Sequence, residues 1–163
     1  MSLLVAFAAA TLSACSDSYE YEGASLSTKN AAIKADGKTS LTVVKPSENS
    51  FDIVVQRIDS TQAGEVKLES SNSKFSVPAT VSFVANEGTK KVTVTYNVAG
   101  GSTESATISV AADQAYEYRV TSIVYQVSRL NVVGVQNITY KSALGGFVLT
   151  TDAYKLADGT YFL

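Results

Sequence analysis

Lys90-Lys91-Val92-Thr93-Val94-Thr95-Tyr96-Asn97 alternates polar and apolar side chains with a period of two, and this stretch decides the fold. A strand turns successive side chains to opposite faces. Lys91, Thr93, Thr95 and Asn97 therefore share one face, and Val92, Val94 and Tyr96 the other. Thr107, Ser109 and Ala111 oppose Ile108 and Val110 in the same way. Such strands are half-buried and antiparallel, with one face on a core and one in water. Similar stretches lie at residues 41–44, 51–58, 65–69 and 79–84. Asp36-Gly37, Pro46-Ser47-Glu48-Asn49 and Asn86-Glu87-Gly88 separate them as turns. Six short strands with frequent turns predict an all-β protein with an antiparallel β-sandwich over residues 36–115.

On either side the pattern weakens. Residues 25–35 hold the helix formers Ala31, Ala32 and Ala35, but the apolar stripe is thin and Gly37 follows closely, so a loop or single turn is expected. Residues 116–163 keep β character without clean alternation. Strands are expected at 120–127, 130–135, 135–140 and 146–151, and Asp158-Gly159 reads as a hairpin turn joining 153–156 to 160–163. This segment is short for an independent core. It reads as the opening of a second β domain cut short or, alternatively, as extra strands on the first. Its tyrosines, Tyr116, Tyr118, Tyr125, Tyr140, Tyr154 and Tyr161, suit either sugar-stacking platforms or core and cross-strand packing.

Composition narrows the chemistry. The chain has 163 residues, 45% hydrophobic and 17% charged, with a net charge of −2, which suits a folded protein. Its basic residues cluster no further than Lys90-Lys91, and so no nucleic-acid partner is expected. With no histidine and a single cysteine, the chain alone cannot build a Ser-His-Asp triad, a Cys-His pair, a His-ligated metal site or an internal disulfide.

That cysteine has an address. Residues 3–12 form an apolar run of signal-peptide length, too short for a bilayer span of roughly 20 residues. The run ends in Leu12-Ser13-Ala14-Cys15, which resembles the lipobox of bacterial lipoproteins. The resemblance implies cleavage after residue 14 and lipidation of Cys15, and two or three acyl chains hold a protein firmly to a membrane. No Lys or Arg precedes the run, a departure from the usual signal peptide. The competing reading makes residues 3–12 a core helix and Cys15 a small core residue. Residues 15–35, opening with Ser16-Asp17-Ser18-Tyr19-Glu20-Tyr21-Glu22, read as a flexible tether. Their acidity resembles that of Bacteroidota surface lipoproteins, and a merely solvated linker has the same composition.

A second resemblance covers residues 36–115. A strand ending in Arg57, the Val77-Pro78 turn, a strand ending in Phe83, the Glu87-Gly88 turn and the alternating strand after it together resemble the Calx-β-like, immunoglobulin-fold modules of Bacteroidota surface lipoproteins. Members of that family can bind calcium through clustered acids. Here Asp36, Glu48, Asp52, Asp59, Glu65, Glu69, Glu87, Glu104 and Asp113 are scattered, against the six to eight converging oxygens that calcium needs. Neither a metal nor any other cofactor is expected.

Three short motifs remain. Ser71-Asn72-Ser73-Lys74 fits the S-x-x-K of serine acyl-enzymes but lies in a turn-rich connection. Asp59-Ser60-Thr61 resembles the Bacteroidota O-glycosylation motif, with Ser60 as acceptor, and Asn137-Ile138-Thr139 formally fits a sequon. The expectation is a non-enzymatic lipoprotein anchored in the outer membrane, at the cell surface, acting as a spacer or binding module for glycan capture or nutrient uptake. Its partners are then the membrane, a glycan or an outer-membrane protein. The alternatives are the non-catalytic N-terminal part of a longer surface glycoside hydrolase, and an adhesin or pilus-like subunit joined by strand exchange.

Overall fold

The computed structural model describes residues 28–141, 145 and 148–163. In chain order the strands are β1 (Ala31–Ala35), β2 (Ser40–Val43), β3 (Ser50–Arg57), β4 (Gly64–Ser70), β5 (Phe75–Ser76) and β6 (Thr80–Phe83). Then come β7 (Thr89–Tyr96), β8 (Thr103–Val110), β9 (Ser122–Arg129), β10 (Val132–Lys141), β11 (Val148–Leu156) and β12 (Tyr161–Phe162). They form three sheets with the orders β1-β3-β7-β5, β2-β9-β8-β4-β6 and β10-β11-β12.

The first two sheets face each other as an immunoglobulin-like sandwich. Its leading edge divides between them: β1 pairs antiparallel with β3, the chain turns at Gly37, and β2 pairs in parallel with β9. Gly37 has φ +111°, a conformation costly for any residue with a Cβ. Asn86 takes φ +66° in the turn after β6, and asparagine is among the residues that tolerate this region.

The alternation read in the sequence is the burial pattern. In β7, Val92, Val94 and Tyr96 are buried while Thr93 and Thr95 are exposed. Across the core they meet Ile33, Ile53, Val55 and Phe75 of the same sheet and Val66, Leu68, Phe83, Ile108, Tyr125 and Val127 of the opposite one. Phe51 stacks on Tyr125, with ring centroids 4.1 Å apart and 20° between planes. No polar or charged residue among those described is fully buried, and charge enters the interior only as single guanidinium nitrogens, Arg57 Nη1 and Arg129 Nε.

Several segments differ from the sequence reading. Residues 31–35, placed in the tether as loop or turn, are strand β1, with Ala31, Ala32 and Ile33 buried. Alanine favours helix only weakly, and here antiparallel pairing with β3 overrides it. Beyond residue 115, β9 is not part of a separate segment: it lies between β2 and β8, and its Tyr125 and Val127 are core residues. Exposed Val124 blurs its alternation. Two-residue β5 was too short to announce itself. Ala111, assigned to the polar face, is buried just past the end of β8, where its N–H donates to Lys67 O. The strands expected at 130–135 and 135–140 are the single strand β10, and β11 likewise runs unbroken from Val148 to Leu156. The Asp158-Gly159 turn stands, with Gly159 at φ +88° and Asp158 Oδ1 accepting from the N–H and hydroxyl of Thr160.

Candidate functional site

The registers give the sandwich two distinct ends. Ala31 faces Arg57, and β8 leads into residues 111–121, whose Gln114 side chain bonds to Lys67 and Glu65, so these loops share one end with Thr28. β9 runs the other way, and Arg129 bonds at the opposite end to the carbonyls of Lys45, Pro46 and Glu48. The chain thus enters at the Arg57 end and passes into β10 from the Arg129 end.

Arg57 organises the entry end. Its N–H donates to Gly88 O at 2.8 Å, and its guanidinium lies 5.6 Å from the Phe83 ring centre, with Lys90 Nζ at 5.3 Å from the same ring. A Cβ at position 64 would stand 3.2 Å from Arg57 Nη2, so glycine there leaves the guanidinium its room. Arg57 Nη1 is sealed from solvent without an acceptor, an arrangement that native structures usually resolve with water or an ion. Asn30 clamps the adjoining loop: its Nδ2 donates to Asp59 O at 2.7 Å and its Oδ1 accepts from the Asp59 N–H.

Three cavities touch Arg57. One of about 480 Å³ is lined by Thr28, Asn30, Arg57, Asp59, Gln62 and Tyr116. A small one of about 80 Å³ includes Arg57, Glu65 and Gln114. The third, about 290 Å³, includes Arg57, Thr89 and Arg119 and has no acid in its lining. The acids nearby serve the loops. Thr61, through its N–H and its hydroxyl, holds the Asp59 carboxyl below its usual range. Lys90 and the Val84 N–H do the same for Glu87. Asp113 pairs with Lys67, whereas Arg57 and Arg119 enter none of the ion pairs found among the described residues. Ile58 lines the cavities of about 480 and 290 Å³ and is exposed, as are Val84, one residue past β6, and Tyr118 and Val120 on either side of Arg119, and the Tyr116 and Tyr118 rings meet edge to face at 5.5 Å.

The exit end carries the third sheet. Cross-strand partners share a face, so Ile138, Tyr140 and Tyr161 lie on one side and Val135, Val148 and Phe162 on the other. All six are exposed. A cleft of about 420 Å³, lined by Lys45, Glu48, Tyr154 and Phe162 among others, separates this sheet from the sandwich.

Leu12, Ser13, Ala14 and Cys15 lie outside the described residues. Ser60 is half-buried in the loop after β3, and its carbonyl accepts from the Asn86 N–H. Ser71 and Lys74 do not engage each other: Ser71 Oγ accepts from the Thr107 N–H, and Lys74 pairs with Glu104. The Glu104 carboxyl is held below its ordinary value by Lys74 and then by Asn72. Asn137 lies on β10 and donates to Asp152. Asp36 and Asp52 both pair with Lys91, which raises the lysine pKa, chiefly through Asp36. No group of three potential metal ligands occurs among the described residues. The tyrosines divide: Tyr125 and Tyr154 are buried, Tyr116 is half-buried, and Tyr118, Tyr140 and Tyr161 are exposed. Sequence reasoning missed Arg57 and Arg119 as a pair because 61 residues separate them, and only the fold brings both to one cavity.

No family model matches the chain, and no curated protein matches it. Solved structures do. A protein of unknown function from Bacteroides ovatus is 9% identical, with a TM-score of 0.50 over 80% of this chain and 56% of that one. A multidomain protein including DUF1735, also from Bacteroides ovatus, is 12% identical with a TM-score of 0.43 over 78% and 56%. CBD12 from CALX1.2 is 12% identical with a TM-score of 0.44 over 67% and 55%. The chain spans a little over half the length of each, and at these identities the likeness concerns the fold alone.

Proposed function

We propose that the protein is an outer-membrane lipoprotein, anchored through Cys15 at the cell surface, whose sandwich is a non-enzymatic spacer presenting the β10–β12 sheet as a binding surface. The observation that carries this reading is the polarity of the sandwich: the chain enters at the Arg57 end and leaves at the Arg129 end. A module threaded end to end holds the segments on its two sides apart. Its polar groups serve the fold, as the ion pairs of Lys74, Lys90 and Lys91 illustrate. The ligand we assign is a glycan, because Tyr140 and Tyr161 offer exposed rings on one face of the third sheet, and such rings stack on sugars.

Fatty-acid labelling in the native host tests the anchor: the wild-type chain takes the label and Cys15→Ser does not. A polysaccharide array tests the module, with binding expected for the wild type and lost in the doubly substituted Tyr140→Ala, Tyr161→Ala protein. Equal binding by both proteins would remove the assigned face.

A second reading is favoured by the same sheet. Both of its faces carry exposed apolar side chains, as strands awaiting an opposing layer do. On that reading this is the non-catalytic N-terminal part of a longer surface enzyme, such as a glycoside hydrolase. Co-expression with the polypeptide encoded downstream would then shield Val135 and Tyr140 from labelling.

A further inference from the structure

We infer that the Arg57 end of the sandwich is a membrane-docking face that seats on the outer-leaflet lipid surface to which Cys15 is tethered, with Arg57 and Arg119 taking the phosphate of the lipid headgroups. The inference rests on the lipid anchor proposed above and adds an orientation to it. Thirteen positions separate Cys15 from Thr28, and Thr28 lines the Arg57 cavity. Even fully extended, thirteen positions span at most about 47 Å. The anchor is therefore attached on the side of this end, opposite the end from which the chain passes into β10. A tether also raises the effective concentration of the surface it faces into the millimolar range, so contacts too weak to act alone suffice.

The chemistry of the face suits that neighbour. Ile58, which lines the cavities, and Val84, Tyr118 and Val120 in neighbouring loops are exposed, at 46%, 67%, 75% and 59%. Aromatic and aliphatic side chains beside cations match the interfacial layer, where rings settle among headgroups and basic residues meet phosphate. Arg57 and Arg119 line one cavity whose lining holds no acid, whereas Asp59 and Glu65 line the other two cavities that touch Arg57. A phosphate oxygen would satisfy guanidinium donors in the forked geometry they favour. Asp59, Glu87 and Asp113 are engaged by Thr61, Lys90 and Lys67, Glu65 accepts from Ser82, and the Arg57 charge acts on Asp59 after Thr61, which leaves Glu117 as the acid of this end outside such bonds and Arg119 as the cation with no such partner.

The test uses the whole lipidated protein, purified from its host and reconstituted in vesicles of lipopolysaccharide and phosphatidylethanolamine, the latter with brominated acyl chains. The chain has no tryptophan, so Tyr118→Trp and, separately, Tyr140→Trp each supply a single fluorophore. The probe at position 118 should shift to the blue and lose emission on the order of twofold, as expected of a ring seated roughly 5–10 Å into the interface. The probe at position 140 should keep the emission it has in detergent-free buffer. Arg119→Gln in the first background, its fold checked by an unchanged thermal transition, should weaken the quenching. Co-flotation of the protein with vesicles but no quenching at 118, or equal quenching at both positions, overturns the docking face and leaves the anchor standing. Failure to co-float removes the anchor and the docking face together. A response at 118 to soluble uronate oligosaccharide and none to vesicles overturns the inference in favour of a sugar ligand.

Discussion

In β7, Val92, Val94 and Tyr96 are nearly inaccessible to water, whereas in β10 Val135, Ile138 and Tyr140 stand 52%, 41% and 67% exposed. The two strands are built from the same residue types and both pair antiparallel with a neighbour. What separates them is the second layer: β7 has a sheet across from it, and β10 has none among the described residues. In these two strands the local sequence settles strand formation, but the stabilising burial, worth about 25 cal/mol per Å² of apolar surface, depends on what faces the strand. The edges differ in the same sense. In the sandwich, segment 114–120 covers β1 through the bonds of Ala31, Ile33 and Tyr116, and the other outer strands, β2, β5 and β6, are only two to four residues long. β10 is ten residues long and lies at an edge, with one charge, Lys141, and a register shift at Val132/Gly134. Long uncharged edges are the ones that recruit partners.

The contrast can be broken most forcefully at Tyr125. Removing this ring should cost Tyr125→Ala about 3–5 kcal/mol, as for other large buried aromatics, because the ring fills the core and stacks on Phe51. Urea unfolding measures this, and a loss below about 1 kcal/mol would detach β9 from the sandwich core. Next in size is Arg129, whose guanidinium donates to three carbonyls and lies 5.8 Å from the Tyr96 ring centre. Arg129→Met should destabilise by about 1–2 kcal/mol by leaving those acceptors short, again read from the urea midpoint.

Alkaline pH gives a smaller and graded effect. Burial raises the Tyr96 and Tyr125 phenols above their ordinary value of 10.0. As pH rises, the unfolded chain then loses these protons first, so their contribution is intact below that value and falls as pH climbs through the folded-state pKa values. Thermal melts between neutral pH and pH 11 should show this decline, and Phe at both positions should flatten it. Neither hydroxyl has a hydrogen-bond partner, so Tyr125→Phe at neutral pH should change stability by less than about 0.5 kcal/mol or improve it. The smallest effect is expected on the third sheet, where Tyr140→Ala should stay within about 0.5 kcal/mol in the same urea assay.

Where an exposed face alternates with a buried one, the sequence was legible. The alternations of β7 and β8 predicted their burial residue by residue, apart from Ala111 just beyond the end of β8, because a half-buried strand prints its two faces in its side chains. β1 was illegible because alanines carry no facial signal, and its partners, β3 and residues 114–120, are distant in sequence. β9 was read as strand but assigned elsewhere, since nothing local tells which sheet a strand joins. The Arg57 and Arg119 cavity failed for the same reason, being a product of loops that meet only in the fold. Cys15 is the opposite case: its message is entirely local, and its lipidation is a matter for labelling.

If the module has a membrane end and a presented end, labelling of intact cells distinguishes the two. The native chain holds one cysteine, assigned to the lipid, so Tyr118→Cys or Tyr140→Cys each adds a single reporter thiol. A membrane-impermeant maleimide applied to living cells should modify position 140 rapidly and position 118 much more slowly, with both reacting alike once the cells are dissolved in detergent. Position 118 reacting as fast as position 140 on intact cells would remove the membrane end, and neither reacting until the cells are opened would remove the surface location.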